Sequence, residues 1–255
     1  MLIVISPAKK LDFSDETRYT AQYSQPGHLD AAQVLIDTLA AKTPAEIAEL
    51  MDLSPKLAEL NAERYRSFRT PFTPETAKQA LLAFKGDAYL SFALGEYGDE
   101  DFAFAQHRLR ILSGLYGVLR PLDLIQPYRL EMGTALKTGS SRNLYEFWGD
   151  RIADALNAAL AESGSSTLVN LASDEYFKSV RVKRLQARVI TPVFKEWRKG
   201  KLQSIFLYAK QARGAMADYA IRQRVTDPEA LKAFTGMGYG YDPDASDADT
   251  WVFAR

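Results

Sequence analysis

Four helix starts are written as a residue able to cap a helix standing directly before a proline: Thr43-Pro44, Ser54-Pro55, Thr73-Pro74 and Asp227-Pro228. A cap oxygen accepts from an amide that a helix leaves unpaired at its start, and proline suits the first helical position because its missing N–H had no partner there. Thr43-Pro44-Ala45-Glu46 also has the spacing of a capping box. With apolar residues recurring three and four apart, these starts predict helices near 29–41, 44–52, 55–67, 74–83, 101–113, 145–161, 211–224 and 228–233. Ile152, Leu156 and Leu160 would stack on one helix face. Between the helices lie short β-branched or aromatic runs that read as strands: Leu2–Ile5, Leu168–Ala172, Val189–Phe194, Ser204–Ala209 and Trp251–Phe253. The unbroken apolar run Leu2–Ile5 suits a strand covered on both faces. The expected fold is mixed, α/β or α+β, with a short central mixed sheet and a helix-rich insertion after the first strand.

The 255 residues correspond to one large domain or two small ones at roughly 150 residues each. Gly139-Ser140-Ser141 and Gly164-Ser165-Ser166 are too short for domain linkers, and no repeat is present, so one integrated domain over residues 1–255 is expected. A chain that is 47% hydrophobic and 25% charged has an ordinary globular composition. The absence of cysteine excludes disulfides, thiolate zinc sites and a cysteine nucleophile. His28 and His107 are the only histidines, too few for a multi-histidine metal centre; no metal site and no cofactor is expected. No apolar run approaches the roughly 18 residues of a membrane helix. The opening Met-Leu-Ile-Val-Ile lacks a basic flank and meets Ser6-Pro7 too early for a signal sequence, so a cytoplasmic, soluble chain is expected.

Lys and Arg total 32, as do Asp and Glu, so any affinity for polyanions must come from local clustering. Between Lys178 and Arg213 eleven basic residues (Lys178, Arg181, Lys183, Arg184, Arg188, Lys195, Arg198, Lys199, Lys201, Lys210 and Arg213) face a single acid, Glu196. Tyr176, Phe177, Trp197 and Tyr208 accompany them, and aromatic faces stack on exposed bases. The competing reading is a set of solvated faces whose charges pair with acids distant in sequence. Ser6-Pro7-Ala8-Lys9-Lys10 would bring a hydroxyl and two ammonium groups to the carboxyl end of the first strand, where open α/β sheets hold ligands; otherwise it is a proline turn with exposed lysines. No Walker A loop or G-x-G-x-x-G fingerprint is present. After the strand at 168–172, Ser173, Asp174 and Glu175 either cap a helix or supply carboxylates for acid–base work. In Leu112–Pro121 a helical run would end at Gly114, with Gly117 free to adopt positive φ. Such a hairpin can point amides outward at an anion, as in helix-hairpin-helix elements, although two residues separate these glycines where one is usual. Pro121 also disfavours helical geometry at Arg120.

Several long motifs, Ser6-Pro7-Ala8-Lys9, Ala83–Asp87, Leu112–Met132, Tyr145–Asp150 and Asn170–Ser179, resemble those of the YaaA family of bacterial peroxide-stress proteins, and the resemblance runs along essentially the whole chain. It implies a cytoplasmic protein that helps cells survive hydrogen peroxide by restraining free iron. It also implies a mixed fold with a positively charged cleft, a helix-hairpin-helix-like element and DNA binding. The hairpin carries over onto Gly114, Leu115, Tyr116 and Gly117; no iron ligand or catalytic residue carries over, and Lys10 stands where relatives are expected to have threonine. The expected interface for duplex or distorted DNA comprises Lys9, Lys10, Gly114, Leu115, Tyr116, Gly117, Arg120, Lys178, Arg181, Lys183, Arg184, Lys210 and Arg213. The alternative is an enzyme on a phosphorylated or nucleobase-containing substrate, positioned by Ser6 and Lys9, with Asp174 or Glu175 moving protons. Iron sequestration would fall to Asp242, Asp244, Asp247 and Asp249, which read as a solvated acidic tail.

Overall fold

In the computed structural model, which describes residues 1–255, strand β1 (Leu2–Ile5) is buried at every position, as its unbroken apolar sequence requires. The chain then makes a long helical excursion through α1 (Leu29–Ala40), α2 (Pro44–Met51) and α3 (Pro55–Ser67). It continues through β2 (Lys78–Gln79), α4 (Ala80–Ala83) and α5 (Asp99–Arg108). Strand β3 (Leu109–Ser113) brings it back to the sheet, and β4 (Gly117–Leu119) turns antiparallel to β3. β5 (Leu124–Ile125) pairs with β2 in a separate ribbon. Helices α6 (Leu144–Trp148) and α7 (Arg151–Glu162) precede β6 (Thr167–Leu171). The remainder is α8 (Asp174–Phe177), the hairpin β7 (Arg188–Arg198) and β8 (Lys201–Gln203), α9 (Phe206–Arg222), β9 (Gly240–Tyr241) and β10 (Thr250–Ala254).

The main sheet has eight strands, in the order β4-β3-β1-β6-β7-β10-β9 with β8 beside β7. β3, β1, β6, β7 and β10 form a parallel centre, while β4, β8 and β9 are antiparallel additions. The mixed fold and the helical insertion after β1 are as expected, and one hydrophobic cluster reaches from Met1 to Phe253. The chain leaves β1 toward β3 and leaves β6 toward β7, its neighbour on the other side. The carboxyl ends of β1 and β6 therefore diverge, which is where open sheets form ligand crevices.

Several expected elements differ. The helix expected over 101–113 stops at Arg108, because Leu109, Arg110 and Ile111 pair with Ile3, Val4 and Ile5 of β1. No strand forms at Ser204–Ala209; Phe206 begins α9, whose Ala209, Ala212, Met216 and Ala220 are buried at helical spacing. Gly149, at φ 54°, divides the helix expected over 145–161. Of the helix expected over 74–83 only Ala80–Ala83 is helical, and residues 228–233 form a 3-10 helix. The expected capping box is present at Thr43–Glu46, whereas Ser54 makes no side-chain cap bond despite its proline.

Candidate functional site

Where the carboxyl ends of β1 and β6 diverge, a contact joins residues 167 apart: the Ser173 amide donates to Ser6 Oγ at 2.9 Å, and the two hydroxyls lie 3.3 Å apart. Buried Tyr89 donates its hydroxyl to the Ser6 carbonyl at 2.9 Å, and burial pushes its pKa well above the ordinary value, so it remains a neutral donor. The Lys9 ammonium lies 2.6 Å from Glu131, which also pairs with Arg129 at 3.0 Å. The Gly133 amide donates to the Glu175 carboxylate at 2.9 Å, and the Tyr145 hydroxyl to the Glu175 carbonyl at 2.9 Å. Lys178 stands 5.0 Å over the Tyr145 ring. Glycine at 86 lets its loop approach, since a Cβ there would meet Ala8 Cβ at 2.9 Å. Segments far apart in sequence, those that carry the family resemblance, thus converge on one edge of the sheet.

Neither Ser6 nor Ser173 is hydrogen-bonded to a His, Asp, Glu or Lys side chain, so neither has the base that would activate a nucleophile. Glu175 is held by Gly133. The exposed Asp174 carboxylate makes neither a hydrogen bond nor an ion pair, and its charge acts on Arg213, one of the expected DNA-contacting cations. The sequence alone assigns no role to Tyr89, Arg129 or Glu131. The two charged residues lie within Leu112–Met132, whereas Tyr89 follows Ala83–Asp87 by two positions, and only the folded contacts reveal their partners.

The Gly114–Gly117 segment requires correction. It is the turn of the β3–β4 hairpin and not a helical hairpin, and Gly114, Leu115, Tyr116 and Gly117 are all buried. The Leu130 carbonyl would lie 2.3 Å from a Cβ at position 114, and the Trp148 ring covers Gly117. Trp148 Nε1 donates to the Gly114 carbonyl at 2.9 Å, and Ser113 Oγ accepts the Tyr116 amide at 3.0 Å. The turn is therefore enclosed by protein and presents no amide cradle to a phosphate. A helical hairpin does exist elsewhere: α2 and α3 are joined through Asp52, at φ 51°, Leu53 and Ser54.

Many of the expected DNA-contacting cations have acidic partners. Besides Lys9 with Glu131, Arg120 pairs with Asp123 at 3.0 Å, Arg181 with Asp150 at 2.7 Å and Arg184 with Asp150 at 3.5 Å. Lys10, Lys178 and Lys183 are exposed without ion pairs, and Lys210 lies 4.0 Å over the Phe206 ring. The basic run also supplies Lys195, Lys199 and Lys201 on the β7–β8 hairpin, all without ion pairs, beside Trp197, which is 58% exposed.

No group of three or more His, Cys, Asp or Glu side chains is gathered to hold a metal ion. His28 packs 5.8 Å from the Trp148 ring, and burial lowers its pKa with help from Arg151. In the acidic tail, Asp242 and Asp247 accept backbone amides of their own turns, and Asp249 pairs with Arg188 at 2.8 Å. No helix is long and apolar enough to cross a membrane.

A family model described as peroxide stress protein YaaA matches residues 1–245. A UPF0246 protein of Aromatoleum aromaticum is 56% identical over 100% of this chain and 99% of its own length. UPF0246 proteins of Colwellia psychrerythraea and Cellvibrio japonicus are 51% and 52% identical over 100% of this chain and 99% and 98% of their own lengths.

Proposed function

Because the chain belongs to the YaaA family of peroxide stress proteins, we propose that it limits iron-dependent oxidative damage and binds DNA without sequence selectivity, using the β7–β8 hairpin and the start of α9. The observation that carries the DNA reading is a run of uncompensated charge beside exposed aromatic surface. Lys195, Lys199 and Lys201 have no acidic partner. Arg198 reaches Glu196 only at 3.5 Å, and that carboxylate is held by Arg255 at 2.7 Å. Trp197 and Phe206 are 58% and 73% exposed. The cations would lie on phosphates, while the aromatic faces would stack on bases of distorted or single-stranded segments. No recognition helix presents base-reading side chains here, so affinity would be mainly electrostatic.

Anisotropy titration of labelled duplex tests this. If Lys195, Arg198, Lys199, Lys201 and Lys210 each neutralise a phosphate, log K falls with log salt at a slope of about −4.5. The double variant K199A/K201A reduces that slope to about −2.7 across unrelated sequences. Replacing Arg181 and Arg184, whose charges Asp150 already offsets, has a smaller effect. A response flat in salt, or an unchanged K199A/K201A slope, refutes the interface. The iron arm is read separately: cells lacking the protein hold more chelatable iron by whole-cell electron paramagnetic resonance during peroxide challenge, and equal levels refute it.

A further inference from the structure

Arg213 differs from the other arginines of the chain. It is the one arginine that is not fully exposed and whose guanidinium nevertheless makes neither a hydrogen bond nor an ion pair with another protein group. Buried Arg110 donates to the carbonyls of Gln106 and Leu109, half-buried Arg129 pairs with Glu131, and half-buried Arg224 pairs with Asp101. Arg213 has no such acceptor. Its guanidinium nitrogens still reach solvent, so they are open to an acceptor from outside the protein, while the half-buried side chain holds them in place.

Its position follows from its neighbours. Gly214, the next residue of α9, lies against Ala88 so closely that a Cβ would fall 1.8 Å from the Ala88 carbonyl oxygen. Tyr89 follows Ala88 and donates to the Ser6 carbonyl beyond β1. On the other side the acid whose charge acts on Arg213 is Asp174, which follows the Ser173 that binds Ser6. Burial lowers the Arg213 pKa and the Asp174 charge opposes that shift without reaching a hydrogen bond. Arg213 is thus tied from both flanks to the edge where β1 and β6 diverge.

We propose that this crevice binds a small phosphate monoester carrying hydroxyl groups, such as a sugar phosphate or nucleoside monophosphate. The Arg213 fork engages two phosphate oxygens in bidentate geometry, which matches its planar donors. The Ser173 hydroxyl, whose proton has no acceptor in the protein, donates to the same phosphate. The uncommitted Asp174 carboxylate accepts from the ligand's hydroxyl groups. This takes Arg213 out of the DNA interface: a half-buried guanidinium flanked by buried Ala212 and Gly214 is reached by a small anion more readily than by a duplex.

The test is thermal denaturation and calorimetric titration of the full chain with inorganic phosphate, ribose 5-phosphate, adenosine 5′-monophosphate and adenosine. A phosphate ester at about 100 times its dissociation constant raises the midpoint by about 5–10 °C. Adenosine leaves it unchanged. R213Q abolishes the shift while its own midpoint equals or exceeds that of the unsubstituted protein, because no protein hydrogen bond is lost; R213K binds about 10-fold more weakly. D174N weakens ribose 5-phosphate more than inorganic phosphate. The proposal is overturned if no phosphate probe shifts the midpoint, if R213Q responds as the unsubstituted protein does, or if R213Q unfolds at markedly lower temperature. DNA binding separates the two readings: R213Q retains it, whereas K199A/K201A weakens it with the shallower salt slope and keeps the phosphate response.

Discussion

Replacing Gly117 with alanine tests whether the β3–β4 turn is a packed interior element or an exposed anion cradle. Gly117 sits at φ 69°, and a Cβ there would lie 2.8 Å from a carbon of the Trp148 ring. The left-handed backbone costs a residue with a Cβ about 1–2 kcal/mol. The overlap adds about 1–3 kcal/mol, since Trp148 is fully buried and cannot move aside without disturbing its neighbours. Its indole is also tied to the Gly114 carbonyl at 2.9 Å. Gly139 supplies the control: its φ is 57°, yet nothing lies within 4 Å of a Cβ built on it. G139A should lose only the backbone part, about 1–2 kcal/mol, and G117A about 2–5 kcal/mol. For a chain of this size, G117A lowers the thermal midpoint by roughly 5–20 °C. Urea titrations with unchanged m values would give the difference directly. Equal losses in the two variants refute the packing argument. Loss of DNA binding in G117A at unchanged stability would restore an exposed phosphate-binding hairpin.

Other outcomes follow from local contacts. Thr43→Ala removes a working capping box and should destabilise by about 1 kcal/mol, whereas Ser54→Ala, which breaks no cap bond, should stay within about 0.5 kcal/mol in urea titrations; equal losses contradict the assignment. Asp12 accepts the hydroxyl and amide of Ser14 and faces Lys85 at 2.9 Å, contacts that hold its carboxyl well below the usual range. Its contribution is complete above the unfolded pKa of about 4 and fades as pH falls toward the depressed folded value. The stability gap between the unsubstituted protein and D12N should therefore shrink between about pH 5 and pH 2, and a constant gap rejects the linkage. Trp197→Ala should weaken single-stranded binding by about 1–3 kcal/mol with little effect on folding, because that ring is largely exposed; unchanged affinity by anisotropy removes stacking from the interface.

What the sequence determined by itself were features decided within a few residues. The Thr43–Glu46 box acts across three positions, and α2 and α3 start at their prolines as expected. The apolar runs at Leu2–Ile5 and Trp251–Phe253 became buried strands, since such side chains leave water in any compact arrangement. The basic run Lys178–Arg213 was also legible, but not which of its charges remain free. Leu109–Ser113 could extend a helix or pair as a strand, and the parallel partner β1, more than 100 residues earlier, decided between them. Gly114 and Gly117 read equally well as an exposed hairpin, and the arrival of Leu130 and Trp148 enclosed them. Asp150 quiets Arg181 and Glu131 quiets Lys9, while Arg213 is left without an acceptor at the edge where Ser6 meets Ser173. Coulombic and hydrogen-bond energies depend on separation in space, so chain order alone could name these charges without telling which of them the fold would leave unmatched.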